Sequence, residues 1–399
     1  MRWLTTDQAV KLLGVKPATL YAYVSRGLLR RSTGPDRRSR FASEEVEHLR
    51  QRGRRSDFRL REVTVHSGLT SVEDGQIRFR DADGFALAAE RTFEEAAHWL
   101  WLGAFNGSDA WTSAPEAIAV GRRAQAALPP AALPLDRLRV TVAAMATTDP
   151  LRYELGAAAV PVTGRRLISA LVDTLPDLRE GIPAEGSIAR RLWTKLSGEK
   201  PTTASAHLLD AALVILMDHE LSFSTLSARL AASMRADPYA VVSIGLSALG
   251  GPLQSVASLA AEELLSEIDS PGRAAWVIGE RLRRGDRQPG FGHLLYSGGD
   301  PRGAFLLRGL RTVATDRDKL AIVDAVLEAT RERQLPAANV DFALAALANV
   351  TGMVRGASEA IFAIARTAGW IAHAMEEYQM DVRVRPKMIY MGPSNTPER

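Results

Sequence analysis

The chain has 399 residues, of which 46% are hydrophobic and 24% charged, and it contains no cysteine. This composition excludes wholesale disorder, a disulfide scaffold, thiolate metal ligands and a cysteine nucleophile. The net charge of +4 conceals an asymmetry, because residues 1–60 carry 14 basic and 6 acidic side chains and the remainder carries 36 and 40. A short basic segment therefore precedes a long, mildly acidic body, and the length predicts two or three domains.

The apolar runs of the chain are short. None approaches the roughly 18 uncharged residues that a membrane helix needs. The first residues, Met1-Arg2-Trp3-Leu4, open no long apolar run of the kind found in a secretory signal. We therefore expect a cytoplasmic protein without a membrane partner.

The basic segment begins with two predicted helices and a loop. Thr5 and Gln8 have the spacing of a capping box, which predicts a helix from this point. Pro17 suits the first turn of a second helix, and the short connection between them predicts a helix-turn-helix. A basic loop with turn residues at its centre follows at 30–41, and Ser43 is placed to cap a third helix.

This pattern resembles the winged helix-turn-helix of the MerR and excisionase type. The resemblance implies DNA as a partner, with the second helix in the major groove and the basic loop, as a wing, on phosphates. The residues implied for DNA contact are Lys16, Thr19, Tyr21, Arg37, Arg38 and Arg40. The outward positions of the second helix are Ala18, Tyr21, Ala22 and Ser25, which favours phosphate contact over base reading. A merely solvated arginine-rich loop is the alternative.

We place the helix-turn-helix domain at residues 1–52 and a charged linker at 53–61. The body that follows is predicted to be mostly α. Alternation and turn residues predict a short hairpin within Leu60–Arg80, and Thr92 is placed to cap a helix over Phe93–Leu102. Clusters of proline and glycine separate the later helices.

Four segments of the body carry residue types suited to chemistry. Asp218-His219-Glu220 ends an apolar helix, and a glycine-rich loop carries His293 and Arg302. Asp341 lies at a loop-to-helix junction, and Arg366 and Arg385 come late in the chain. Each has a simpler alternative: His219 as a core histidine, the loop as a turn, Asp341 as a helix N-cap, and Arg366 as a snorkelling side chain. The spacing does not fit H-E-x-x-H, so we expect no metal site.

Together these segments resemble the citrate synthase family. The motifs are Gly290-Phe-Gly-His293 with Asp300-Pro-Arg302, Asn339-Val-Asp341-Phe, Asp218-His219-Glu220, and Ala365-Arg366-Thr with Gly369-Trp-Ile-Ala-His373, all in the family's order. The resemblance implies a homodimer of mostly α subunits with large and small helical domains. It places the large domain at 62–254 and 358–399 and the small domain at 255–357.

The resemblance also implies a reaction and its residues. The reaction is condensation of an acyl-CoA, usually acetyl-CoA, with oxaloacetate or a related 2-oxo acid, with no tightly bound cofactor. Asp341 matches the base that removes the α-proton, and His293 matches the group that polarises the ketone. The residues matched to binding of the oxo acid are His219, Arg302, Arg366 and, reaching in from the partner subunit, Arg385.

One departure falls on the acyl-CoA side. Gln254 stands in Gly-Gly-Pro-Leu-Gln, where the family has the histidine that donates to the enolate oxygen. Three hypotheses remain open. The chain is a citrate synthase-like enzyme, with full or reduced turnover; or a catalytically impaired DNA-binding regulator that senses citrate or oxaloacetate; or the partner subunit of an active paralogue.

Overall fold

The computed structural model describes residues 3–13, 15, 17–25, 29–33, 39–43, 45–46, 64–73, 75–105, 111–179, 185–251, 256–296 and 298–380. Contacts divide the chain into two units, Met1–His66 and Ser67–Arg399. The predicted linker at 53–61 lies outside the described residues. The exact domain bounds given above, including those of the large and small domains, stay predictions.

The first unit combines two helices with a small sheet. Its strands are β1 (Trp3–Thr5), β2 (Arg31–Thr33) and β3 (Ser39–Ala42), and its helices are α1 (Thr6–Leu13) and α2 (Pro17–Ser25). The sheet is antiparallel in the order β1-β3-β2, with Phe41 opposite both Leu4 and Arg31. Residues 43, 45 and 46 are helical again. The tip of the predicted wing, at 34–38, lies outside the described residues.

The predicted capping box of this unit is confirmed, and the unit has a buried core. The backbone N–H of Gln8 donates to Thr5 Oγ1 at 3.3 Å, and the backbone N–H of Thr5 donates to Gln8 Oε1 at 3.0 Å. Leu20 of α2 and Phe41 of β3 are fully buried, and Tyr23 and Val24 pack against the same core. The helices are therefore held on the sheet by a small apolar core of their own.

The second unit begins with three short antiparallel strands. They are β4 (Thr70–Glu73), β5 (Gln76–Phe79) and β6 (Ala82–Asp83), in that order across the sheet. The predicted hairpin is thus present as β4 and β5, and the sequence did not indicate the third strand.

Helices make up most of the rest of the described second unit. Its helices are α3 (Gly84–Glu90), α4 (Phe93–Leu102), α5 (Pro115–Gln125), α6 (Pro134–Met145), α7 (Ala159–Thr174), α8 (Ile188–Leu196), α9 (Thr203–Leu216), α10 (Phe223–Ser233), α11 (Pro238–Leu249), α12 (Val256–Ser266), α13 (Ala274–Arg283), α14 (Pro301–Val313), α15 (Arg317–Glu332), α16 (Val340–Val350) and α17 (Ala357–Gln379). Thr92 caps α4 at the predicted residue, in a full capping box with Glu95. No helix in these ranges is both long and apolar enough to cross a membrane.

The long helix α17 lies at the centre of the unit. Nearly all of its side chains are buried, and α4, α6, α7, α9, α10, α11, α12 and α16 pack around it. Gly369 permits the closest approach, because a Cβ there would lie 2.1 Å from the carbonyl oxygen of Met217. Met217 and Asp218, which follow α9, consequently pack closely against α17.

Candidate active site

The glycine-rich loop is tied to the segment before α16. Gly292 N–H donates to the carbonyl of Ala337 at 2.8 Å, and Asn339 N–H donates to the carbonyl of Gly290 at 2.9 Å. The side-chain amide of Asn339 donates to the Gly292 carbonyl at 2.9 Å. Gly290 has φ near 80°, and a Cβ there would lie 2.9 Å from Phe342 backbone atoms, so only glycine fits. His293 is thereby held beside the start of α16.

Arg302 is fixed by its neighbour Asp300, the N-cap of α14. Asp300 accepts from Arg302 Nε at 3.0 Å and Nη2 at 2.8 Å, and also from the backbone N–H of Val340 at 3.1 Å. Both side chains are almost fully buried. Burial by itself raises the pKa of Asp300, but the Arg302 charge and hydrogen bonds outweigh it and lower that pKa. The pair links α14 to α16 and leaves Arg302 charged in a buried position.

Three rings meet next to Arg302. His219 and His293 lie edge to face with centroids 5.6 Å apart, and Tyr296 lies 4.8 Å from His293 and 5.6 Å from His219. The hydroxyl of Tyr296 is 2.6 Å from His219 Nε2. Sequence reasoning missed Tyr296, although its place three residues after His293 in the same loop was a usable signal.

Both histidines are held neutral. Burial, followed by the charges of Arg302 and Arg366, lowers the pKa of His219 far below its usual range. Burial and then Arg302 also lower the pKa of His293, whose Nδ1 faces Leu295 N–H at 3.1 Å and whose Nε2 faces Arg302 Nη2 at 3.3 Å. Because a hydrogen-bond donor faces each ring nitrogen of His293, the protonated ring, which can only donate, is disfavoured. Burial raises the pKa of Tyr296 to about 12, so its hydroxyl keeps its proton.

Arg366 projects from the middle of α17 toward the same place. It is 1% exposed, its Nε donates to the carbonyl of Leu216 at 2.9 Å, and its Nη1 donates to Ser222 Oγ at 3.4 Å. Burial and the nearby Arg302 lower its pKa to about 10, which leaves it charged at neutral pH. The snorkelling alternative is therefore wrong for Arg366.

Asp341 lies in the first turn of α16 and does not cap it. Asn339 is the N-cap, and its Oδ1 accepts from the backbone N–H groups of Asp341 at 2.9 Å and Phe342 at 3.3 Å. The N-cap alternative for Asp341 is therefore wrong. Its carboxylate instead accepts a hydrogen bond from Ser258 Oγ on α12. Burial is the main reason that the pKa of Asp341 is raised above its usual value.

A buried chain of polar groups supports the segment that carries His219. Asp218 Oδ2 accepts from Thr70 Oγ1 at 2.5 Å and lies 3.1 Å from His373 Nε2. Nδ1 of His373 lies 2.7 Å from Arg229 Nη1, and Arg229 also pairs with Glu377 at 2.6 Å. Burial raises the pKa of Asp218, but His373 and then Arg366 and Thr70 lower it overall. The sequence motifs pointed to Asp218 and His373 but not to Arg229.

Several predicted site residues cannot be placed. Gln254, Arg385, Lys16, Arg37 and Arg38 lie outside the described residues.

The structure places the other predicted DNA-contact residues in the first unit. Thr19 is exposed, and Tyr21 is 38% exposed while its hydroxyl donates to Ser39 Oγ at 3.4 Å. The Arg31 guanidinium lies 5.7 Å from the Tyr21 ring centroid, and Arg40 is half-buried on β3.

The structure therefore brings together His219, His293, Arg302 and Arg366, with Asp341 at the edge of the group. Two charged guanidinium groups and two neutral imidazoles form a buried site suited to an anion that carries several oxygen atoms. A carboxylate of raised pKa next to it is suited to accept a proton. In the described ranges, no three His, Asp or Glu side chains come together in a way that could hold a metal ion.

Two segments of the chain match known protein families. The family description "Citrate synthase, C-terminal domain" matches residues 60–387, and "Helix-turn-helix domain" matches residues 3–54. Citrate synthase 2 of Bacillus subtilis is 32% identical over 235 residues, which cover 57% of this chain and 63% of that protein. The chain spans less than two thirds of the length of the first curated relatives it matches.

Solved structures share the fold. The crystal structure of citrate synthase from Thermotoga maritima has a TM-score of 0.69 and 25% identity, covering 84% of this chain and 95% of that one. The Thermoplasma acidophilum citrate synthase, a ternary complex with carboxymethyl coenzyme A and oxaloacetate by its description, has a TM-score of 0.68 and 21% identity, covering 87% of this chain and 97% of that one. Because the family description matches more than four fifths of the residues, the chain belongs to the citrate synthase family, with a helix-turn-helix domain before it.

Proposed function

We propose that the chain catalyses a citrate synthase-type condensation of an acyl-CoA, in the first place acetyl-CoA, with oxaloacetate or a related 2-oxo acid. The observation that carries this proposal is the buried group of Arg302, Arg366, His219 and His293 beside Asp341. A 2-oxo dicarboxylate has two anionic ends and one ketone, and this group offers two cations and neutral N–H donors. No tightly bound cofactor is needed for the reaction.

The two guanidinium groups each keep a terminal nitrogen for a ligand. Within the described residues, Arg302 uses Nε and Nη2, and Arg366 uses Nε and Nη1, so Nη1 of the first and Nη2 of the second have no hydrogen-bond partner. Both side chains are nearly fully buried, which strengthens their attraction for a carboxylate. We assign them to the carboxylates of the oxo acid, with His219 as a further ligand and Arg385 of the neighbouring subunit completing the group.

The bond changes follow from these positions. Asp341 takes a proton from the α-carbon of the acyl-CoA, and the resulting enolate forms a carbon–carbon bond to the ketone carbon of the oxo acid. The ketone oxygen gains a proton as its π bond breaks, and His293 is the N–H group assigned to it. Water then cleaves the thioester and releases CoA. The raised pKa of Asp341 makes its carboxylate a stronger base than an exposed one.

Gln254 is assigned to the enolate oxygen. Its amide N–H can donate as the family's histidine does, but it cannot exchange a proton at neutral pH. Loss of one such donor typically costs about 10²–10³ in rate, so an imperfect replacement predicts a slow enzyme.

The test is CoA release with oxaloacetate and acetyl-CoA or longer acyl-CoAs. We expect turnover by the wild type, a loss of about 10²–10⁴ in Asp341→Asn, and a gain in Gln254→His. Asp324→Asn is the matched control, because Asp324 is an exposed residue of α15 that pairs with Arg311 of α14. No turnover by the wild type or by Gln254→His at high enzyme concentration would overturn the proposal.

A homodimer is part of the proposal, since Arg385 has to act in the neighbouring subunit. Exposed large apolar side chains on α10 and α11 support it: Phe223 is 60% exposed, Leu230 37% and Ile244 40%, and Met234, the residue after α10, is 64% exposed. Apolar side chains that are exposed together are typical of interaction sites. Light scattering after size exclusion tests this idea, with Phe223→Glu expected to give monomers. Co-expression with a citrate synthase-like paralogue tests the partner-subunit hypothesis, which exclusive homodimers would reject.

A second candidate function rests on the helix-turn-helix domain. Its basic charge supports a DNA-binding regulator in the cytoplasm that senses the oxo acid or citrate. Genomic pull-down and fluorescence anisotropy, with and without oxaloacetate or citrate, test this function. We expect Arg37→Ala/Arg38→Ala to weaken DNA binding and Arg331→Ala, an exposed arginine of the second unit, to leave it unchanged. DNA affinity that is absent or indifferent to both ligands would count against it.

A further inference from the structure

We propose that Ser258 is a positioning residue for Asp341, and this inference rests on the proposed function. Ser258 lies in the first turns of α12 and is 1% exposed, and its hydroxyl donates to Oδ1 of Asp341 on α16. The two helices pack against each other. The hydrogen bond therefore joins two neighbouring helices and is not a local turn.

The contact leaves one carboxylate oxygen for chemistry. In the described part of the chain, Oδ2 of Asp341 accepts no hydrogen bond, whereas Oδ1 is held by Ser258. The backbone of Asp341 is itself fixed by the Asn339 cap. A base that must reach an α-proton needs a fixed orientation, since small displacements cost much of the rate. Because Ser258 occupies Oδ1, we assign Oδ2 as the oxygen that accepts the proton.

Ser258 lies close in the sequence to Gln254, the proposed donor to the enolate. Ser258 follows Gln254 by four residues, so it belongs to the segment where the sequence departs from the family's histidine motif. The same segment therefore supplies the proposed enolate donor and the support for the proposed base. We infer that a change of the segment alters both groups on the acyl-CoA side together.

The hydroxyl also acts on the basicity of Asp341. Burial raises the pKa of this carboxyl, while the Ser258 hydrogen bond and the Arg302 charge lower it and the Asp300 charge raises it. Loss of the hydroxyl removes a lowering contribution. The pKa of Asp341 in a Ser258→Ala variant should then lie higher than in the wild type, and the acid limb of the rate profile should move to higher pH.

The experiment compares Ser258→Ala, Ser258→Thr and Ser266→Ala. Threonine keeps the hydroxyl, and Ser266 is an exposed serine on the same helix whose hydroxyl donates to the Glu262 carbonyl at 2.8 Å. We expect Ser258→Ala to lower kcat about tenfold, with oxaloacetate affinity by calorimetry unchanged, and to move the acid limb of kcat up by about 1 pH unit. Ser258→Thr should retain most of kcat, and Ser266→Ala should match the wild type.

Two results would overturn the inference. One is that Ser258→Ala and Ser266→Ala behave alike, and the other is that kcat falls without any movement of the acid limb, as a purely structural defect would cause.

A measurement without turnover separates this inference from the proposed function. In urea unfolding at one fixed pH, Ser258→Ala should lower the midpoint clearly in the wild type and much less in an Asp341→Ala background. Equal losses in both backgrounds would reject the coupling between the two residues. An enzyme that shows no CoA release but keeps this coupling would refute the proposed reaction while leaving the Ser258 contact in place.

Discussion

Nε2 of His373 lies 3.1 Å from Oδ2 of Asp218, and both side chains are buried. The other ring nitrogen faces Arg229, which can only donate, so Nδ1 accepts and the ring proton is on Nε2. The Nε2–H group of His373 therefore donates to the carboxylate of Asp218. This pair holds the residue that precedes His219, and through it the turn that carries Glu220 at a positive φ of 50°.

We expect His373→Ala to lower the free energy of unfolding by about 2–4 kcal/mol, because a buried carboxylate and a buried guanidinium both lose a partner. His373→Gln should recover part of this loss, since its amide N–H can reach Asp218. Urea denaturation measures both variants. His207→Ala, which removes an exposed histidine of α9, serves as the control, and an equally small effect at both positions would contradict the expectation.

The hydroxyl of Tyr296 should contribute to ligand binding through His219. Tyr296→Phe removes the partner of His219 Nε2 and frees the ring to turn. We expect oxaloacetate to bind about 3- to 10-fold more weakly, which corresponds to one hydrogen bond. Calorimetry measures the affinity. Tyr153→Phe is the matched control, because Tyr153 is 65% exposed; identical affinities in the two variants would rule out a role for Tyr296.

Gly290 should tolerate no side chain. Its φ is 80°, and a new Cβ would lie 2.7 Å from Phe342 Cβ and 2.9 Å from Phe342 backbone atoms. We expect Gly290→Ala to cost about 2–4 kcal/mol in the free energy of unfolding.

The matched control for Gly290 is Gly298→Ala, where nothing lies within 4 Å of the new Cβ. This variant should stay within about 0.5 kcal/mol of the wild type in chemical denaturation. Similar losses at the two glycines would argue against the close packing of the loop on α16.

Asp210 should make the protein less stable as the pH rises. Its carboxyl accepts from Phe93 N–H at 3.1 Å, and burial together with the charge of Glu94 raises its pKa to about 7. The unfolded-state pKa is about 3.9, so the stability that depends on the protonated form is lost as the pH rises from about 4 to about 7.

Asp210→Asn removes this ionisation. We expect the variant to be more stable than the wild type by about 1–3 kcal/mol at about pH 8 and to have no advantage near about pH 4. Thermal unfolding at the two pH values measures the difference. Asp136→Asn changes an aspartate that is 49% exposed and should show no such dependence. A constant difference between wild type and Asp210→Asn across this range would contradict the prediction.

Local sequence signals predicted what depends on neighbours along the chain. The caps at Thr5 and Thr92 follow from spacings of three residues, and both are present. His219, His293, Arg302 and Arg366 could be predicted as members of the anion site because each lies in a short sequence motif that can be recognised by itself. Their convergence was implied by the family resemblance and not by any spacing.

Contacts between distant segments were not predictable in this way. Ser258 and Asp341 are 83 residues apart, and Arg229 and His373 are 144 apart. The residues next to Ser258 and Arg229 in the sequence do not indicate these distant partners. The N-cap alternative for Asp341 failed because Asn339, two residues earlier, has a side chain equally suited to cap and lies where the helix begins.

Asn339 has a further consequence for the way this site can move. Its amide binds the loop of His293, and its carbonyl oxygen binds the turn of Asp341, so one side chain sets the spacing between the two residues. If the site opens to admit substrates, the proposed acid and the proposed base should travel as a single body. In the proposed reaction, the separation of these two groups is then set before either substrate arrives, and closure has only to bring the substrates to them.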